Sequence, residues 1–386
     1  MIVSSSNFSY TGKGVQNPEE QMPKEIWDNL SSNDKLNDPA QYVAPTGLAE
    51  AVNVALELGM PLLLTGEPGC GKSQLAHSLV WELGFSKESA KDLWPKPLTY
   101  TVKSDTQSRD LFYSFDTLGR FRAAHAGDAT DAHHYLRFEA LGLAFLRALG
   151  LNAIYDIDPD LAEAVRGLVY EPQRSVVLID EIDKAPREVP NDILNEIDHM
   201  CFDIPELFKV NADKSRTKPV IALQGSPLRP IVVITSNRER ELPEAFLRRC
   251  VYYHLELPPF RKDASTQRAP DNGITIEDIV QKRLRITISR HDENSLNHEK
   301  SIWPGGISFF AHLRDARLQK APSTAELLNW LLLLKKRCDP SATLATNEIQ
   351  DLFFSSAKVT LFKHKEDQNR AERLFIEWLN LTSNNP

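Results

Sequence analysis

Apolar and polar positions along this 386-residue chain change rhythm twice. Residues 1–40 are polar, carry Pro18, Pro23 and Pro39, and show little periodicity, which predicts an extended arm or linker. From Tyr42 the texture alters. "GLAEAVNVALELG" places apolar residues at helical spacing and stops at Gly59, and "PLLLT" follows as a short buried strand. Four later runs repeat that signature: "LTYTV" (98–102), "SVVLID" (175–180), "PIVVITSN" (230–237) and "VYYHLEL" (251–257). Helical patterns separate them, so residues 41–257 are expected to form an α/β domain with a parallel sheet covered by helices. After Pro258 and Pro259, five amphipathic or buried helical stretches run from "TIEDIVQKRLRITIS" to "NRAERLFIEWLNL". Residues 258–386 are therefore expected to be an all-α domain, with the proline pair as its hinge.

Composition changes this picture little. With 41% hydrophobic and 25% charged residues, the chain reads as one large or two ordinary globular domains. No run reaches the ~18 apolar residues of a membrane span, and the N-terminus lacks the pattern of a signal peptide, so a cytoplasmic location without membrane contact is expected. "LNWLLLLKK" is too short for a bilayer and reads as helical core. Cys70, Cys201, Cys250 and Cys338 lie far apart with no CxxC pair, which suggests neither a disulfide framework nor a zinc site. His125, His133 and His134 have no acid or cysteine at ligand spacing, and no metal site is expected there. A net charge of −8 argues against a surface that coats nucleic acid.

The chemistry is concentrated at a few points. Gly66, Glu67, Pro68, Gly69, Cys70, Gly71, Lys72 and Ser73 satisfy GxxxxGK[ST] between a strand and a helix, the context that pattern needs. Glycines let backbone N–H groups turn inward around a phosphate chain, and the helix that opens near Lys72 and continues through Gln74 points its positive end at the same place. Lys72 should reach the β and γ phosphates of ATP, and Ser73 should ligate Mg²⁺.

Val176 to Ile179 run straight into Asp180 and Glu181, delivering two acids at the C-terminal end of a parallel strand. Asp180 is expected in the Mg²⁺ shell, and Glu181 is expected to polarise the attacking water. "PIVVITSN" ends in Asn237, the candidate that positions that water. "RERELPEAFLRRC" then carries Arg248 and Arg249 on a short helical pattern; an arginine supplied across a subunit boundary accelerates triphosphate hydrolysis by roughly 10³ to 10⁵.

Together, "PLLLTGEPGCGKS", "VVLIDEIDKAP", "ITSNRERELPEAFLRRC" and the helical C-terminal part with "APSTAELLNW" resemble an AAA+ ATPase, and specifically the MoxR-like group, over about residues 42–365. The resemblance implies an AAA+ αβα nucleotide-binding core followed by a helical lid. It also implies a homo-oligomeric, hexameric ring with ATP between subunits, working as a chaperone-like remodeller. The finger arginine of that family aligns best with Arg249, with Arg248 as the alternative. At the sensor-2 position, where the family carries arginine, "LQKAPSTAE" offers Lys320 or Ser323. Members of the group also carry a hairpin insertion, for which "SFDTLGRFRA" has the pattern, making Phe121 a candidate substrate contact against the simpler reading of a surface loop. A second hairpin is read in "KVNADKSRTKPVIALQGSPLRP", basic at Lys209, Lys214, Arg216 and Lys218, and the position faces the central channel in AAA+ relatives.

Such ATPases act on a separate effector protein, often one with a von Willebrand A domain, and some serve bacterial conflict systems. Three other readings stand beside this one: a nucleotide-gated assembly module with little turnover, a small-molecule kinase that shares only the P-loop, and a McrB-like nucleic-acid motor subunit, which the acidic balance disfavours.

Overall fold

A computed structural model describes residues 9–14, 22–85, 92–127, 131–210, 216–223, 226–260, 273–288, 301–339 and 342–383. Its strands, in chain order, are β1 (Leu62–Gly66), β2 (Leu98–Thr101), β3 (Tyr113–Phe115), β4 (Leu136–Phe138), β5 (Val176–Asp180), β6 (Cys201–Asp203), β7 (Lys209–Val210), β8 (Arg216–Thr217), β9 (Val220–Ala222), β10 (Ile231–Ser236) and β11 (Val251–Leu255). The helices that precede the end of the sheet are α1 (Lys24–Asn29), α2 (Ser32–Leu36), α3 (Thr46–Leu58), α4 (Lys72–Glu82), α5 (Thr117–His125), α6 (Ala140–Leu149), α7 (Leu151–Ile157), α8 (Pro159–Ala164), α9 (Val189–His199) and α10 (Glu244–Leu247). After the sheet come α11 (Ile276–Leu284), α12 (Ile302–Asp315), α13 (Thr324–Arg337), α14 (Asn347–Leu361) and α15 (Lys365–Ser383).

All five apolar runs read from the sequence enter one sheet, ordered β11-β1-β10-β5-β2. β1, β10, β5 and β2 run parallel, with Leu64 opposite Thr235, Ile234 opposite Ile179 and Thr101 opposite Asp180. Position in the sheet follows side-chain pattern. β1 and β10 are buried at every residue, as continuous apolar runs covered on both faces must be, whereas the outer strand β2 alternates between partly buried and exposed positions. Parallel direction brings the C-terminal ends of β1, β10 and β5 to one edge, where ligands of such sheets bind.

The chain forms two compact units. One comprises Met1–Tyr10, Ala49–Gly66 and Leu75–His254; the other comprises Thr11–Leu48, Glu67–Gln74 and Leu255–Pro386. In the first, Phe112, Phe145 and Phe202 form an aromatic cluster with centroids 5.0 to 5.8 Å apart. α6 and α7 meet there at 98° around Gly150, whose φ of 78° ends α6. No single helix among the described residues is long and apolar enough to cross a membrane. The second unit packs α11 to α15 around Phe309, Trp330, Phe353 and Trp378, and the indole N–H groups of Trp330 and Trp378 donate to Ser356 and Ser308.

Within residues 1–40, expected to be an extended arm or linker, Lys24–Asn29 and Ser32–Leu36 form α1 and α2, and the end of this stretch is held by the C-terminal helices. Arg283, 5% exposed, donates to the carbonyls of Leu36 (3.0 Å) and Asp38 (2.7 Å). Arg285 donates to the Asp38 carboxylate and, like Lys35 and Lys335, lies over the Trp27 ring.

A second expectation needs correction. "SFDTLGRFRA" is not a hairpin turn: its central residues form α5, set between the antiparallel pair β3 and β4. Asp116 caps that helix by accepting from the Gly119 N–H at 2.7 Å, and an aspartate followed by residues without a β-branched run starts a helix in preference to a turn. Phe121 sits on α5, 60% exposed, its ring tilted against that of His125 with centroids 4.1 Å apart. The other hairpin takes the form of a ribbon in which β6 pairs with β9 and β7 with β8. Lys214 lies outside the described residues.

Candidate nucleotide site

The loop that leaves β1 is built on glycine. Gly66, Gly69 and Gly71 take φ values of 152°, 79° and 98°, which side chains rarely adopt, and a Cβ on Gly69 would lie 2.7 Å from Oγ and 2.9 Å from Cβ of Ser323. Lys72 is buried, and its ammonium donates to the Glu67 carbonyl at 3.0 Å. Burial pushes the Cys70 thiol up from its ordinary range. Gln74 donates to Asn37 at 2.7 Å, so its side chain is engaged with the segment before α3.

Two residues of the C-terminal helices meet this loop. Arg314 on α12, 16% exposed, makes a two-pronged pair with Glu67 at 3.0 and 3.2 Å and also donates to the Pro322 carbonyl. Ala325, in the first turn of α13, donates its N–H to the Gly69 carbonyl at 3.2 Å. Ser323 caps α13 in a reciprocal box with Glu326 and is the residue against Gly69. Lys320 is exposed; its backbone N–H donates to Asp367. Of the two sensor-2 candidates, Ser323 is the one at the loop, and the arginine there is Arg314, nine residues earlier in the chain.

At the ends of β5 and β10 a separate network fixes the acids. Thr235, buried in β10, donates its hydroxyl to Asp180 at 2.5 Å and accepts the Glu181 N–H at 2.9 Å. Glu181 has φ 63° and ψ 49°, left-handed for a non-glycine residue, a conformation that persists only when its surroundings hold it. Its carboxylate accepts from Asn237 Nδ2 at 3.1 Å on Oε1 and from Lys184 Nζ at 2.5 Å on Oε2. That pairing raises the Lys184 amine above its ordinary range, the hydrogen bond to Glu181 being the main cause. Asp183, 2% exposed, accepts the N–H groups of Asn237 and Glu239 and so shapes the turn after β10.

Arg248 and Arg249 leave α10 at the surface. Arg248 pairs with Glu244 at 2.9 Å and Arg249 with Asp198 at 3.1 Å, both exposed pairs of the kind that exchange partners readily. Behind them Cys250 is buried, which pushes its thiol up to about 12. All four cysteines are free thiols.

Residues 61–250 match the family model described as AAA domain (dynein-related subfamily). The fold is that of an AAA+ nucleotide-binding core. AAA domains bind nucleotide and act as ATPases, and the glycine cradle with its buried lysine fits a phosphate chain. Among solved structures, NtrX from Brucella abortus in complex with ADP is similar at 13% identity with a TM-score of 0.36, over 94% of this chain and 66% of that one. The match thus spans just under two thirds of that protein. No curated protein matches the chain.

Sequence reasoning missed Thr235, Asp183, Lys184 and Arg314. The first three lie within the quoted motifs and were hidden only by attention to the motif ends; Arg314 carries no local signal.

Proposed function

We propose that the protein hydrolyses ATP to ADP and phosphate as a MoxR-type AAA+ ring, with Mg²⁺, and uses the turnover to remodel or activate a separate partner protein. The observation that carries this reading is the Glu181 carboxylate, held in a left-handed turn between Asn237 and Lys184 beside Asp180. A general base must present an oxygen fixed in direction at the ligand edge of the sheet, and this one is fixed from both sides. In this scheme the P-loop amides and Lys72 bind the phosphates, and Glu181 takes the proton of the attacking water that Asn237 orients. Ser73 and Asp180 would hold Mg²⁺, which supplies neutralisation of phosphate charge. Arg249 of one subunit, with Arg248 as the alternative, would stabilise the charge developing in the neighbour's site. Arg314 and Ser323 tie the loop to α12 and α13 within the second unit, and in this scheme nucleotide state and the position of these helices change together. An effector bearing a von Willebrand A domain, and a place in a bacterial conflict system, belong to the same reading.

A second reading is a nucleotide-gated assembly module with slow turnover, favoured by the Lys184 contact, which ties the base to its own chain. Mass photometry of the wild type and Glu181→Gln with and without ATP, with phosphate release followed in the same samples, separates the two. An ATP-driven six-fold species trapped by Glu181→Gln, together with measurable wild-type turnover, supports the remodelling ring. Assembly without turnover supports the gated module, and turnover by a monomer overturns both.

A further inference from the structure

Two carboxamides beside the P-loop each bury an atom that no other group meets. Gln41, 3% exposed, ends the helical turn Pro39–Gln41, and its Nε2 has no hydrogen-bond partner among the described residues. Gln74 follows Ser73 in the first turn of α4, and its Oε1 is likewise buried and unpaired. A chain of amides sets the orientation of Gln74: its Nε2 donates to Asn37 Oδ1 at 2.7 Å, and Asn37 Nδ2 donates to Asn33 Oδ1 at 3.1 Å. That chain leaves an oxygen at its loop end. The same two segments meet a second time, since a Cβ added to Gly71 would lie 3.6 Å from Cε2 of Tyr42. All of these residues belong to the second unit.

Buried polar groups are nearly always paired in folded proteins, so an unpaired donor and an unpaired acceptor at one place describe the partner that is missing. It must accept from Gln41 and donate to Gln74. Location narrows it further. Lys72 serves the β and γ phosphates, so the nucleoside of a bound triphosphate leaves the loop past Ser73, toward Gln74 and the 37–42 segment. Adenine carries the complementary pair on neighbouring atoms, an amino group as donor and a ring nitrogen as acceptor, whereas guanine has an oxygen in place of that amino group. We propose that Gln41 and Gln74 read the base of the nucleotide and select adenine over guanine, a step that rests on the nucleotide site proposed above. Gln41 donates to a ring nitrogen and Gln74 accepts from the amino group. Guanine sets its carbonyl oxygen against the Gln74 oxygen and leaves buried groups unpaired, and unpaired buried groups discriminate more sharply than shape does.

The test uses the full chain with Mg²⁺, titrated calorimetrically in the cold with ATP, GTP and purine riboside triphosphate, which lacks the amino group. The wild type is expected to bind ATP at least about tenfold more tightly than the other two. Gln41→Met should bring ATP and GTP to within about threefold of each other, chiefly by weakening ATP. Gln41→Glu replaces the donor by an acceptor and should shift the preference toward GTP, whose ring N–H it meets, a gain that a merely structural role would not produce. Gln74→Met should bind ATP and purine riboside triphosphate alike, and it keeps the question answerable should the Gln41 variants fail to fold. Equal binding of ATP and GTP by the wild type, or a preference unchanged in folded Gln41→Met and Gln74→Met, overturns the base reading alone. Binding of neither triphosphate by the folded wild type overturns the nucleotide site, and the base reading with it.

Discussion

Asn237 donates to one oxygen of the Glu181 carboxylate at 3.1 Å while Lys184, three residues along from Glu181, occupies the other at 2.5 Å. The carboxylate is thereby aimed and restrained at once. Glu181→Gln is expected to lower ATP turnover by roughly 10² to 10⁴ while nucleotide binding survives, read by steady-state phosphate release beside a fluorescent-nucleotide titration.

Lys184→Ala should act in the opposite direction. Loss of an exposed ion pair releases the carboxylate, and basal turnover is expected to rise roughly 2- to 5-fold. A fall in turnover, measured in the same assay, would instead make Lys184 part of the machinery.

At the loop, Gly69→Ala puts a methyl group into Ser323 from a backbone position with φ of 79°. Destabilisation of about 1–2 kcal/mol and weakened nucleotide binding are expected. Adding Ser323→Ala should not help, because the Ser323 Cβ itself lies 2.9 Å from the new atom. Ser323→Gly should recover part of the loss. Urea denaturation of the three variants orders them.

Glu196, on α9, is pushed up to about 7 from an ordinary 4.5, by burial first and by Asp192 one turn earlier second. Its Oε2 is buried without a hydrogen bond. The folded protein therefore holds this proton more tightly than the unfolded chain does. Its stabilising contribution is complete below pH 4.5 and is lost as pH rises through about 7. Glu196→Gln should match the wild type at pH 4.5 and exceed it by about 1–2 kcal/mol at pH 8, after allowance for solvent screening. Paired denaturation curves at the two pH values decide it.

The sheet was legible because continuous apolar runs such as "VVLID" and "IVVITS" have only one stable place, the covered centre of a parallel sheet. The P-loop was legible because its glycines and lysine are contiguous. What escaped the sequence lives in tertiary space. Arg314 reaches Glu67 across 247 positions, and Asp158 approaches His133 from another helix. α5 was misread because a capping aspartate and a turn-forming aspartate look alike until the following residues choose.

The hold of Arg283 on Leu36 and Asp38 sets an order of events during synthesis. The bonded residues stand 247 and 245 positions apart. At about 5–20 residues per second, residues 11–48 leave the ribosome roughly 10–50 s before their acceptor carbonyls meet a guanidinium. Early helices of this protein are thus among its last to be secured, and the nascent chain must carry them exposed, within reach of chaperones, while the entire nucleotide-binding sheet is being made.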